Sequence, residues 1–289
     1  MERILPNFSY TDESFIKENS YHYSLAIEIS YDWIVYLVFD EVKNNYIVIE
    51  SFNFNKVFNE SQLVSSFQNI IDNHDNLKLN YEKTNIVFKS SKYTFIPSPL
   101  FVVGEEERYL TFNQEILNSE TTLKDFVKNA DLFNIYAIPK LLQNFLEDNF
   151  KNHKLSHHLT SLVEIIVNKY KNLDENKTVF INLGQSFLDV LVLENQKLLL
   201  CNTFQFKTGE EFIYYLMFVF EQMKLNPEKN NLTIIGEIEK DSALYGYIEK
   251  YIRNISFIER NNAFKYSYLF DKIPQHYFYN LFNLKLCGL

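Results

Sequence analysis

The sequence predicts an α/β protein built from two related lobes, and three observations carry that expectation. A triplet of strands occurs twice, about 150 residues apart, close to the length of one ordinary domain. The two triplets end alike, Ser51-Phe-Asn-Phe54 against Thr203-Phe-Gln-Phe206. Behind each triplet the hydrophobic period alternates between helical and extended, so that strand-strand-strand-helix-strand-helix-strand appears twice. The lobes are expected over residues 1–160 and 161–289, the second with an aromatic C-terminal tail, and their boundary on a helix near 155–175.

Residues 1–22 read as an irregular or partly helical lead-in. The first triplet follows at 24–30, 33–39 and 46–54, joined by short polar turns. Ile27 and Ile29 alternate there with Glu28 and Ser30, which suits a sheet with one covered face. Asn59 starts a helix whose Leu63, Phe67, Ile70 and Ile71 share one side. Residues 85–88 form a strand, and 92–96 a second extended piece stopped by Pro97 and Pro99. Residues 100–128 are the least regular stretch, and the charged run Glu105-Glu-Glu-Arg108 is expected as a solvated loop. A strand at 131–137 precedes Pro139, which is placed to open a helix with Leu142, Phe145, Leu146 and Phe150 on its apolar face. A further helix is expected over 157–170, then a polar turn over 171–177.

The second triplet occupies 178–184, 187–193 and 198–206. Gly209-Glu210-Glu211 opens a helix whose acidic first turn complements the helix dipole. After Pro227 come a strand at 231–235 stopped by Gly236, a helix over 242–253 and a closing strand at 255–258. The tail from 259 onward holds a short helix after Pro274.

Composition narrows the function classes. The 289 residues are 46% apolar and 17% aromatic, too hydrophobic for disorder and long enough for two cores. Six Gly and six Pro leave no room for a long flexible linker. A net charge of −9, with acids and bases interspersed, argues against nucleic acid and against a membrane surface as partner. Cys201 and Cys287 make no disulfide framework. The opening residues do not read as a signal peptide, and the longest apolar run, 212–220, is too short for a bilayer. A cytoplasmic location without membrane insertion is expected.

The stretch from Val179-Phe-Ile-Asn-Leu-Gly184 through Phe206-Lys-Thr-Gly209 resembles the second lobe of pilus-assembly proteins with the duplicated ribonuclease H-like fold. Actin, heat-shock ATPases and sugar kinases share that architecture. With Tyr136-Ala-Ile-Pro139 and the tail His276-Tyr-Phe-Tyr-Asn-Leu-Phe282, nearly the whole chain is similar to a bacterial family of unknown function. The resemblance implies two ribonuclease H-like lobes in the actin-like βββαβαβ order, each a mixed five-stranded sheet with helices.

ATPases of that superfamily carry, in each first hairpin, an Asp, a Gly two residues later and then small hydroxyl residues. The Gly lets backbone approach phosphate, and the Asp orients a cation or its water. The first lobe offers Glu28, Ser30 and the bulky Tyr31-Asp32-Trp33; the second offers Asn182, Gly184, Gln185 and Ser186. The adenosine-side glycine pair is reduced to Gly236-Glu237. If a nucleotide binds, the resemblance implies Asn182, Gly184, Gln185, Ser186, Thr208, Gly209 and Gly236, with ATP and magnesium as the ligand. The degenerate motifs argue against hydrolysis. The expected function is therefore a catalytically silent scaffold or adaptor without a cofactor, holding an unidentified protein through its cleft or its aromatic helix. A second copy of the chain is a further candidate partner, and a nucleotide binder or weak ATPase or kinase is the alternative.

Other constellations read as structural. Glu28, Asp32, Glu50 and Asp189 are the carboxylates a two-metal nuclease would draw on, but no further acid completes a set. His153, His157 and His158 have the i, i+4 spacing of a helical metal pair and are expected as a cap or surface cluster. No Gly-x-Ser-x-Gly elbow is present. The run 212–220, apolar on all sides, reads as a packed helix or an interface helix. Tyr277, Phe278, Phe282 and Leu286 of the tail are expected to pack back onto the lobes.

Overall fold

A computed structural model describes residues 3–54, 57, 59–171 and 177–287; most of the expected polar turn, 172–176, lies outside them. The chain divides into two compact units. One holds Met1–Leu162, Asn261–Lys272 and Asn283–Leu289, the other Val163–Arg260 and Ile273–Phe282.

In the first unit the lead-in contains β1 (Phe8–Thr11), and the triplet forms β2 (Tyr23–Ile29), β3 (Trp33–Asp40) and β4 (Asn45–Asn53). Then follow α1 (Glu60–Asn73), β5 (Lys83–Phe88), β6 (Tyr93–Pro97), α2 (Glu106–Thr111), β7 (Glu120–Val127), β8 (Leu132–Pro139), α3 (Lys140–Asn149), β9 (His153–His157) and α4 (His158–Lys169). The Asn59 carboxamide caps α1 by accepting the Gln62 N–H at 3.0 Å, and Leu63, Phe67, Ile70 and Ile71 are buried against the sheet. All eight residues of β3 are buried, so this sheet is covered on both faces rather than one.

The main sheet runs β1-β4-β3-β2-β5-β9. β6, β8 and β7 form a separate antiparallel sheet inserted between β5 and α3. This insert replaces the irregular stretch expected over 100–128. The charged run expected as a loop becomes α2 because Glu106 and Glu107 occupy its first turn, where helix N–H groups favour acids.

β9 falls where no strand was expected. It pairs parallel with β5, Thr84 opposite His153 through Phe88 opposite His157. The extended backbone separates His153 from His157 by roughly 13 Å at 3.3 Å per residue. The helical spacing that would make them a metal pair does not exist.

The second unit holds β10 (Thr178–Leu183), β11 (Phe187–Glu194), β12 (Lys197–Gln205), α5 (Gly209–Gln222), β13 (Asn231–Gly236), α6 (Ala243–Tyr251) and β14 (Asn254–Phe257). Its sheet order, β12-β11-β10-β13-β14, matches β4-β3-β2-β5-β9 of the first unit. In both units the three strands before the helix pair antiparallel, and the two after it join the first of them in parallel. Even the bulge recurs, between Val38 and Phe39 in one and Val192 and Leu193 in the other, the sixth and seventh residues of the second strand. The link from β13 to α6 is only residues 237–242, with no counterpart of the inserted sheet.

The C-terminal segment adds β15 (Lys265–Tyr266), parallel to β4, and α7 (Tyr279–Asn283). The first sheet thus has seven strands where five were expected, because β1 and β15 cover the outer edge of β4. Phe278 and Phe282 are buried as expected of the tail, whereas Leu286 is exposed. Among the described residues no helix is long and apolar enough to cross a membrane.

Candidate functional site

In each unit the candidate site is the first hairpin, joined in the second unit by the loop after β13; each lies at the carboxyl end of a parallel strand, where open α/β sheets bind ligands. Identical backbone bonds close both hairpins. In the first unit Ser30 N–H donates to the Trp33 carbonyl at 2.9 Å, Phe54 N–H to Asp32 at 2.7 Å and Lys89 N–H to Ile29 at 2.8 Å. In the second, Gly184 N–H donates to Phe187 at 3.1 Å, Phe206 N–H to Ser186 at 3.0 Å and Glu237 N–H to Leu183 at 3.1 Å.

The side chains then separate them. Ser30 Oγ accepts the Asp32 N–H at 3.0 Å and the Trp33 N–H at 3.1 Å. A phosphate cradled by this loop would need those donors, and the loop's own hydroxyl already takes them. Trp33 is buried beneath the Lys89 ammonium, 4.9 Å from its ring. Tyr31 packs edge-on against Phe88 at 6.2 Å, and burial pushes its phenol up to about 12.

Gly184 brings no hydroxyl to the second hairpin, and Gln185 and Ser186 are exposed there. A Cβ at this glycine would meet the far end of the Phe187 ring at 2.5 Å, so a larger residue requires that ring to shift. Asn182 does not stand alone. Its Nδ2 donates to Asp189 Oδ2 at 2.9 Å, and Thr203 Oγ1 donates to Asp189 Oδ1 at 2.6 Å. The carboxyl missing from β10 sits on the facing strand, where the hairpin register places Asp189 opposite Asn182. That pairing could have been read from the sequence by counting outward from the Gln185-Ser186 turn.

Gly236 has φ +93°, and a Cβ there would lie 2.1 Å from the Leu183 carbonyl oxygen, so only glycine fits. Its N–H donates to the His276 carbonyl at 3.0 Å. The His276 ring lies 4.2 Å from Phe257, and its Nε2 meets the Ile238 carbonyl at 2.7 Å. Burial holds its pKa below the ordinary value, so the neutral ring donates that proton. The tail thereby engages the loop after β13. Thr208 Oγ1 caps α5 by accepting the Glu211 N–H at 3.2 Å, while the Tyr247 ring lies against Gly209 and its hydroxyl donates to Glu210.

Several of the groups that a phosphate or its cation would use are already engaged within each unit. The first hairpin is closed on itself, Asp189 is fully buried, and Gly236 N–H is taken. Nor do the other carboxylates converge. β3 separates β2 from β4, with Glu28 opposite Val35 and Glu50 opposite Tyr36, so the two acids project from opposite faces. Among the described residues no three His, Cys, Asp or Glu side chains are grouped to hold a metal.

The profile of the family described as "Protein of unknown function (DUF3822)" matches residues 12–255. The chain belongs to that family. Among solved structures it is similar to a protein from Bacteroides thetaiotaomicron VPI-5482 with an actin-like ATPase fold and unknown function. The identity is 23%, the TM-score 0.77, and the match covers 84% of this chain and 93% of that one. It is also similar to a chain of the PilM–PilN type IV pilus biogenesis complex, at 10% identity and TM-score 0.62, over 92% of this chain and 98% of that one. These likenesses establish the actin-like fold. No curated protein matches the sequence.

The DUF3822 chain also contains a buried polar cluster that the sequence did not signal. Asp125 Oδ2 on β7 accepts Thr160 Oγ1–H at 2.7 Å and the His157 N–H at 2.9 Å. Asn134 Nδ2 reaches Thr160 Oγ1 at 2.9 Å and His157 Nδ1 at 3.1 Å. Leu159 N–H also points to Nδ1, which assigns the proton to Nε2, 2.9 Å from the Ser90 carbonyl. The cluster ties the inserted sheet to β9 and α4, and burial raises the Asp125 carboxyl to about 6.

Proposed function

We propose that this chain is a catalytically silent actin-like protein that works by binding another protein. The observation that carries this reading is the Ser30 hydroxyl, which accepts the two hairpin N–H groups a phosphate would otherwise use. The tail carbonyl on Gly236 and the burial of Asp189 support it. The matching bulges and hairpin bonds fit an internal duplication whose frame was kept while its phosphate grip was lost. The PilM neighbour is one member of a protein complex with PilN, so the fold is compatible with such a role. A cytoplasmic site of action belongs to the same reading.

Thermal unfolding with and without millimolar magnesium–ATP tests it. A nucleotide at 100 times its dissociation constant would add about 2.7 kcal/mol of stability. The expected result is an unchanged midpoint and no phosphate release; hydrolysis that Gly184→Ala or Asn182→Ala abolishes would refute the reading. One observation favours a second reading, a weak nucleotide binder. The second hairpin lacks a Ser30 equivalent, and its Gln185 and Ser186 are exposed. A raised midpoint with magnesium–ATP, without turnover, would select it.

A further inference from the structure

The second unit carries a groove of about 740 Å³ between α5 and α6. It arises from a surplus of apolar residues on α5. Phe212, Ile213, Leu216, Val219 and Phe220 already fill the core-facing stripe that a packed helix needs. Tyr214 and Phe218 lie outside that stripe, 63% and 41% exposed, and stack on each other at 6.3 Å. Tyr251 of α6, 52% exposed, lines the opposite wall. An aromatic shelf of this kind at the surface is characteristic of a recognition site.

The charged part of its lining is acidic. The charged side chains that line the groove are Glu210 and Glu221, one near each end of α5. Eleven residues of helix put their backbones about 16 Å apart at 1.5 Å per residue. The rings also accept cations, since the Lys250 ammonium lies 5.2 Å from the centre of Tyr247. We propose, building on the protein-binding reading above, that this groove receives a basic amphipathic helix of a partner protein. The helix spans about three turns, with its apolar face on Tyr214, Met217 and Phe218 and its Lys or Arg residues against Glu210 and Glu221. A second copy of this chain fits poorly, because a two-fold contact would bring like carboxylates together.

Fluorescence anisotropy with a labelled helical peptide of leucine and lysine provides the test, with a glutamate-for-lysine peptide as control. The full chain is expected to bind the lysine peptide and not the control. Phe218→Ser and Glu221→Lys should each weaken binding about tenfold or more. Both side chains are exposed, so thermal unfolding of the variants should match the parent. Parent-like binding by both variants, or equal binding of both peptides, would overturn the groove assignment. So would sedimentation showing a parent dimer that Phe218→Ser dissociates. Those failures leave the silent-scaffold reading standing, whereas ATP turnover would remove that reading and leave the groove.

Discussion

Asp125 receives hydrogen bonds from Thr160, His157 and Tyr136 yet keeps a carboxyl raised from 3.8 to about 6, because desolvation outweighs them. The sign of its effect follows. A carboxyl raised in the folded state stabilises that state below the unfolded value of 3.8, and the contribution is lost as pH climbs through about 6. Asp125→Asn has no such dependence. Its stability relative to the parent should therefore rise between pH 4 and 7, by at most on the order of 3 kcal/mol. Urea midpoints across that range measure the change, and a constant difference would exclude a buried carboxyl. None of this was legible in the sequence, because Ser90, Asp125, Asn134, His157 and Thr160 are scattered across the chain until the inserted sheet folds. Asn182 was the opposite case. Its partner Asp189 is within reach of hairpin register, because counting outward from the Gln185-Ser186 turn sets the two side by side.

Among the elements, the second unit was the more legible, because Gly209, Pro227 and Gly236 punctuate it and its periods are clean. β9 was missed for a physical reason: His-Lys-Leu-Ser-His offers one apolar residue, and its strand state comes from pairing with β5. The inserted sheet was equally opaque, since β7 is mostly half-buried and shows little alternation. Thr208, singled out as a nucleotide contact, serves α5 as its cap. Thr208→Ala should lower stability by about 1 kcal/mol. Denaturant midpoints read that loss, and the response to magnesium–ATP should not change with it.

For the whole molecule, the second unit is discontinuous in sequence. Ile273–Phe282 returns to it after the chain has visited the first unit, bringing His276 to Gly236 and burying Phe278 and Phe282. Phe282→Ala should cost about 3–5 kcal/mol, the usual range for a fully buried phenylalanine. Hydrogen exchange locates the damage, with β13 and its following loop expected to lose protection. Damage confined to the first unit would contradict the assignment of this segment.

Ser30 has one more implication for how such a protein would behave in the cell. If those satisfied donors take no γ-phosphate, the loop supplies no chemical clock. Under the protein-binding reading, the complex would be governed by abundance: it would persist while both components were plentiful, and it would be dismantled by competition or by turnover of the chains themselves.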